Sequence, residues 1–318
     1  MRRRQFLSTL TAAGLRAAVG PALPKEDTMS DTTIPRRPYG KSGRELSVVG
    51  FGGIVVSGVE QSEANESVAW AIEHGVNYFD VAPTYGNAQD RLGPALKPFR
   101  EDCFLACKTA ERDAAGAQAE LEQSLKVLQT DHVDLYQMHG LVKLEEVDQA
   151  LGPGGALETF VKAREKGQVR HIGFSAHDVA SALKALDSFA FDSILFPFNA
   201  VCIENGKFGT EVLEKAAQKG ASCLALKTLA WTPWPKDGPR KYGKCWYRPQ
   251  DDPRLAGLLV RYTLGLPLVA AVSPGEGKLF KLAVESVHDL KPLAADELAE
   301  LKAAMNGVEP IFQAGKHG

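Results

Sequence analysis

The stretch Val76 to Gly86, VNYFDVAPTYG, decides the fold. Val76, Tyr78, Phe79 and Val81 read as a buried strand that runs into a turn at Pro83–Thr84. Asp80 closes the strand and Tyr85 lies just beyond it. A carboxylate and a phenol at the carboxyl end of a parallel strand occupy the place where a (β/α)8 barrel keeps its chemistry.

Working outward, Ser62 to His74 reads as a helix. Ser62 is its expected cap, Val68, Ala69 and Ile72 form its apolar stripe, and Gly75 ends it. Residues 39–49, YGKSGRELSVV, read as a hairpin turning at Lys41–Gly43 and then a strand. Phe51-Gly52-Gly53 closes that strand with glycines whose bare backbone suits close approach to a ligand. The alternation then repeats. Strands are expected at 47–50, 76–82, 103–109, 132–139, 169–175, 193–199, 221–228 and 268–273. Helical patterns lie at 87–97, 115–128, 156–166, 177–188, 208–219, 253–265 and 278–290, with a further one at 294–305. Strands so apolar on both faces suit a parallel sheet covered by helices. The fold expected over residues 36–318 is therefore α/β, a (β/α)8 TIM barrel with an N-terminal β-hairpin. A doubly wound open sheet is the alternative; against it, no GxGxxG follows any strand.

Two connections read as long loops, Gly140–Gly155 and Leu229–Asp252. The second carries Trp231, Trp234, Tyr242, Trp246 and Tyr247. Two readings stand side by side: a lid over a flat ligand, or aromatics that pack the loop onto the barrel rim.

Composition sets the outer limits. The chain has 318 residues, 44% hydrophobic and 24% charged, enough to bury a sizeable core. A formal charge of −2 gives no reason to expect a nucleic-acid partner. No apolar run reaches the ~18 residues of a membrane span. The five cysteines, Cys103, Cys107, Cys202, Cys223 and Cys245, form no CxxC pair and read as buried free thiols of a protein folded in a reducing compartment. No Cys/His group has the spacing of a metal site. Oligomeric state is not readable.

Residues 1–29 read as a signal peptide or a disordered extension. Arg3-Arg4-Gln5-Phe6-Leu7 resembles a twin-arginine export motif, an apolar region interrupted by Arg16 follows, and Gly20-Pro21-Ala22 suits the approach to a cleavage site. On that reading the protein folds with its cofactor and is exported to the periplasm. On the other, translation begins at Met29 and the protein is cytoplasmic.

Asp80, Tyr85, Lys108 and His139 fall at the carboxyl ends of consecutive expected strands or just after. Singly, each has a bland account: a tyrosine that packs in a turn, a lysine that snorkels to water, a satisfied core histidine. Lys108, however, follows Phe-Leu-Ala-Cys, a poor place for a charge without a partner. Together, at one end of one barrel, all the bland accounts must hold at once.

On these residues the chain resembles the aldo-keto reductases, from roughly Arg37 to the last helix. The resemblance is carried by GVNYFDVAPTYGNAQDRLG (Gly75–Gly93), Lys108 in CKT, DLYQMHG (Asp134–Gly140) and GQVRHIGFS (Gly167–Ser175). It implies an NAD(P)H-dependent reductase of aldehydes or ketones, or the reverse alcohol dehydrogenase, with Asp80, Tyr85, Lys108 and His139 as catalytic tetrad. Tyr85 would donate the proton. A free phenol has a pKa near ~10, and the Lys108 ammonium would favour the phenolate and lower it. Asp80 would compensate Lys108, and His139 would orient the carbonyl.

For the cofactor, NADP or NAD with NADP favoured, the expected contacts are Gly52, Ser175, Asn199, Lys227, Ser273, Gly275 and Lys278. Ser273-Pro274-Gly275 resembles the family's phosphate-binding turn, beside a helix start suited to anions. Lys278 either pairs a 2′-phosphate or is a solvated helix-start lysine. The chain departs from the family at Ala176, Leu195, Leu226 and Glu285, where an Asn, a Gln, an aromatic residue and an Asn are usual. Ser175-Ala176-His177-Asp178 and Leu226-Lys227 look like a less studied branch of predicted oxidoreductases. The weakened nicotinamide contacts keep a second class open, a nucleotide-binding regulatory barrel without turnover. Schiff-base chemistry at Lys108 is a third, and a charged lysine between Asp80 and Tyr85 argues against it. The partner expected is a small carbonyl or alcohol of unread identity.

Overall fold

A computed structural model describes residues 33–315. The expectations for residues 1–29 lie outside the described residues.

The strands are β1 (Arg36–Pro38), β2 (Glu45–Ser47), β3 (Val49–Gly52), β4 (Tyr78–Asp80), β5 (Phe104–Thr109), β6 (Val133–Leu141), β7 (Val169–Ala176), β8 (Ser193–Phe196), β9 (Ser222–Ala225), β10 (Ala230–Pro233), β11 (Tyr247–Pro249) and β12 (Ala270–Val272). β3 to β9 and β12 close into a parallel barrel, in which β12 pairs with β3 on one side and β9 on the other. β1 and β2 form the expected antiparallel hairpin. Between the strands run α1 (Gln61–Glu73), α2 (Ala88–Leu96), α3 (Ala114–Val127), α4 (Leu144–Leu151), α5 (Ala156–Glu165), α6 (Val179–Ser188), α7 (Ala200–Glu204), α8 (Thr210–Lys219), α9 (Pro253–Leu264), α10 (Gly277–Glu285) and α11 (Ala295–Met305). This is the (β/α)8 barrel expected.

Side chains along a strand alternate between two faces, and that alternation builds the interior in layers. Tyr78, Ala106, Leu135, Leu195, Leu224 and Ala270 point inward and pack on one another. Their strand neighbours Phe79, Leu105, Cys107, Tyr136 and Met138 point outward into the layer beneath the helices. One inward step beyond Tyr78, Ala106 and Leu135 come Asp80, Lys108 and Gln137, with Lys108 paired in register with Gln137. The barrel is thus apolar through its middle and polar at its carboxyl end. At the other end the hairpin closes it: Tyr39 is buried against Phe104, its ring centroid 4.9 Å away, and its hydroxyl donates to Ser193 Oγ at 2.8 Å. Gly50 is required by this packing, since a Cβ there would come 2.5 Å from the Tyr78 ring.

Several local expectations are corrected. The residue before α1 is Glu60, without a side-chain cap, and Ser62 lies within the first turn. Gly140–Gly155 is not a loop, because β6 continues to Leu141 and α4 fills Leu144–Leu151. β8 ends at Phe196, before Pro197, which cannot donate to a ladder. The following residues form the short α7, capped by Asn199. The Leu229–Asp252 connection contains the antiparallel pair β10–β11. All five cysteines are buried and free of disulfides.

Candidate active site

The polar layer begins with a buried ion pair. Lys108 Nζ, wholly buried at the end of β5, donates to Asp80 Oδ1 at the end of β4. Asp80 Oδ2 accepts from Gln137 Nε2 at 3.1 Å and from the Tyr78 hydroxyl at 3.4 Å. A buried charge is tolerated only when paired and hydrogen-bonded, and here both carboxylate oxygens are occupied. Burial alone would draw the Lys108 pKa down; the Asp80 carboxylate, with Tyr85 beside it, turns the net shift upward. Lys108 is therefore held as an ammonium.

Tyr85 stands over that ammonium. Its amide donates to Ala82 O at 3.1 Å, closing the turn after β4, and Gly86 follows in the left-handed region at φ 62. The Lys108 nitrogen lies 5.1 Å from the Tyr85 ring centroid. Burial pushes the phenol above its ordinary value, Lys108 pulls it down, and Asp80 pushes it up; the net is upward. Lys108 acts in the expected direction, favouring the phenolate, while desolvation outweighs it and leaves the net shift upward. The hydroxyl carries its proton at neutral pH.

His139, in β6, packs edge-on against Tyr85 with ring centroids 5.5 Å apart, and its Nδ1 lies 3.2 Å from Thr84 Oγ1. Burial, with the charges of Lys108, Lys227 and Arg112, brings its pKa down to about 3. The imidazole is neutral at physiological pH, a state the amino-acid sequence left open. Its carbonyl accepts from Arg112 Nη2 at 2.7 Å.

The residues expected at a cofactor divide. Gly52, Lys227, Ser273 and Gly275 line, with Asp80 and Tyr85, one cleft at the barrel's carboxyl end. Packing alone already requires a glycine at 52: a Cβ would lie 2.6 Å from Ser273 O. Ser273 Oγ accepts from the Gly52 amide at 3.0 Å, and Ser273 to Gly275 lead into the N-terminus of α10. Lys278 is exposed on the first turn of that helix. Ser175 is buried, its Oγ accepting from the Gly140 amide at 2.8 Å. Asn199 is enclosed as well. Its Oδ1 accepts from the Cys202 amide at 2.9 Å, capping α7, while Nδ2 donates to Lys227 O at 3.2 Å. Both ends of this amide are thus engaged by the fold.

Gln137, inside the strand motif and not anticipated as a site residue, holds Asp80. Lys244, Cys245, Trp246 and Tyr247 form one wall of the cleft, with Ile54 also lining it. Lys244 Nζ donates to Val55 O at 2.9 Å, tying the long connection to the 3-10 turn Gly53–Val56 that follows β3. That connection packs on itself and also reaches the cleft. Trp234 Nε1 donates to Cys245 O at 2.8 Å, packing the loop on itself, while Trp246 lines the cleft and is 51% exposed.

Comparison with known proteins agrees with this geometry. Residues 48–244 match the Aldo/keto reductase family. An uncharacterised oxidoreductase of Bacillus subtilis (strain 168) is 30% identical over 155 residues, 44% of this chain and 48% of that protein. L-galactose dehydrogenase of Arabidopsis thaliana is 30% identical over 159 residues, 45% and 49% of the two chains. The matches span about half the length of these curated relatives. Among solved structures, an aldo-keto reductase of Bacillus halodurans in its holo form superposes with a TM-score of 0.69 at 24% identity, covering 89% of this chain and 99% of that one. That last likeness bears on the fold.

Proposed function

The chain belongs to the aldo/keto reductase family, and from that membership we propose that it is an NAD(P)H-dependent oxidoreductase that reduces an aldehyde or ketone to an alcohol, or runs the reverse, with Tyr85 as proton donor. The observation that carries the reading is the stack at the cleft floor, in which Lys108, buried and held by Asp80, lies beneath the Tyr85 ring.

Carbonyl reduction needs a hydride at carbon and a proton at oxygen. A bound nicotinamide dinucleotide supplies the hydride. The cleft suits one, since it joins Tyr85 to the Ser273–Gly275 turn at the start of α10, a place favourable to phosphate. The rest falls to the chain's own side chains. Tyr85 gives its proton to the developing alkoxide, and Lys108 stabilises the phenolate left behind. A phenol whose pKa is raised by burial is in the correct protonation state to act as the acid. Asp80 and Gln137 keep Lys108 charged and in place. Neutral His139 offers a ring N–H to the carbonyl oxygen without competing as an acid.

The test is to follow NADPH and NADH oxidation with a panel of aldehydes and quinones, alongside dinucleotide binding. NADPH is the preferred partner if Lys278 meets the 2′-phosphate, and Lys278→Ala then narrows the preference. A regulatory barrel that binds nucleotide without turnover is the second reading. It is favoured by the absorption of Ser175 and Asn199 into the fold, and binding without turnover across the panel would establish it.

A further inference from the structure

We propose that Lys227, presented by His177, receives a carboxylate on the carbonyl substrate, so that the substrate class is an aldehyde or ketone acid. This rests on the reductase reading for the word substrate, but the anion site stands on its own geometry.

Lys227 follows β9 and takes the left-handed conformation, φ 59, although it is not glycine. Such a residue persists where its surroundings over-determine it, and these cases cluster at functional sites. Here its carbonyl is tethered twice, accepting from Asn199 Nδ2 at 3.2 Å and from the Ala230 amide at 2.8 Å. The backbone is bent to place one side chain.

Among the described residues that side chain is a cation without a counter-charge. Lys108 has Asp80; Lys227 makes no ion pair among the described residues. Its ammonium meets the neutral His177, Nζ to Nε2 2.8 Å, and lies 5.8 Å from the Trp246 ring and 5.9 Å from the Phe312 ring. Aromatic faces attract a cation without neutralising it. Burial brings its pKa down to about 8, so at neutral pH it is still charged, and a bound anion would keep it so. His177 is held in place by stacking on Phe312, centroids 5.6 Å apart at 17°.

Lys227 lines the same cleft as Tyr85 and the Ser273–Gly275 turn, and its bonded partner His177 lies on the side away from that turn. In barrel order β12 and β8 flank β9, and β7 lies beyond β8. The Ser273–Gly275 turn follows β12, whereas His177 follows β7 on the opposite side of Lys227. The ammonium is thus anchored toward the His139 side of the mouth, and its charge is among those that depress His139. Lys227 and Tyr85 line one cleft, so an acid held by the lysine lies within the same space as a carbonyl at the phenol.

The experiment compares 4-carboxybenzaldehyde with its methyl ester, methyl 4-formylbenzoate, in the full chain with NADPH, and measures benzoate binding by calorimetry without cofactor. A charge-assisted hydrogen bond corresponds to roughly a ten- to hundredfold preference for the acid in kcat/KM. Lys227→Met should bring the acid-to-ester ratio near unity, mainly through KM, and Lys227→Arg should restore it. Equal use of acid and ester by the wild type, or no benzoate binding to it, overturns the proposal whatever the variants do. If Lys227→Met weakens NADPH binding but keeps the ratio, the lysine serves the dinucleotide and the proposal is overturned. If neither aldehyde is reduced yet benzoate binds the wild type and not Lys227→Met, the anion site stands and the reductase reading falls.

Discussion

Gln137 Nε2 donates, at 3.1 Å, to the one oxygen of Asp80 that Lys108 does not take. The carboxylate therefore cannot swing away from the lysine without breaking a second buried bond. The ion pair is oriented by a neutral amide on the next strand, in register with Lys108 across β5 and β6.

Asp80→Asn removes the charge that keeps Lys108 ionised in the barrel interior. Leaving one partner of a buried pair costs about 3–5 kcal/mol, whereas an apolar replacement of both is often close to neutral. Denaturant unfolding should show a loss of that size for Asp80→Asn and recovery of most of it in Asp80→Leu/Lys108→Met. A double variant as unstable as the single one would mean that the pair is not what limits stability.

Tyr85→Phe should lower kcat for carbonyl reduction by about 10²–10⁴-fold, the ordinary weight of one acid–base group. NADPH binding, followed by fluorescence titration, should persist. Near-normal turnover in this variant would remove the phenol from the mechanism.

The raised pKa of Tyr85 and the depressed pKa of His139 predict an unusual pH profile. Burial keeps the phenol protonated well into the alkaline range, and His139, at about 3, is already neutral. The kcat of reduction should stay flat between about pH 6 and 9, with no inflection near the ordinary histidine value of ~6.5. A break near neutrality would assign a charged His139 to the chemistry.

The same histidine makes stability depend on acid. Its folded pKa lies below its unfolded one, so the neutral form's contribution is complete above about 6.5 and is lost as pH falls toward about 3. His139→Gln should flatten that part of the curve of Tm against pH relative to wild type. Parallel curves would show that other groups govern the acid limb.

Asn199→Ala should cost about 0.5–2 kcal/mol through loss of the α7 cap, and more through release of Lys227. In a Lys227→Gly background, where φ 59 needs no tether, the cost should shrink. A thermodynamic cycle measures the coupling, and strict additivity would separate Asn199 from the lysine's conformation.

How far the amino-acid sequence discloses this molecule depends on how locally each feature is encoded. Asp80, Tyr85, Lys108 and His139 each end a distinct apolar strand pattern, so their common end of the barrel followed from alternation alone. Gln137 did not stand out, because its inward direction depends on the register of β6 against β5. The α4 helix carries a signal in Leu144, Val147 and Leu151 at helical spacing, whereas α7 is five residues long and too short to show periodicity. Asn199 was assigned by family likeness, and only the three-dimensional placement of Cys202 and Lys227 revealed what it bonds. Lys227 and His177 are 50 residues apart, and their meeting depends on β8 standing between their strands.

The hairpin that seats Tyr39 beneath Ser193 has a bearing on traffic. With that end corked and the middle filled by aliphatic and aromatic layers, the described residues leave the barrel open at its carboxyl mouth. If Tyr85 is the proton donor, the hydrogen that reloads it after each cycle would enter by that mouth, the route the carbonyl and the alcohol would also take. Trp246, exposed at that threshold, would then bear on all three.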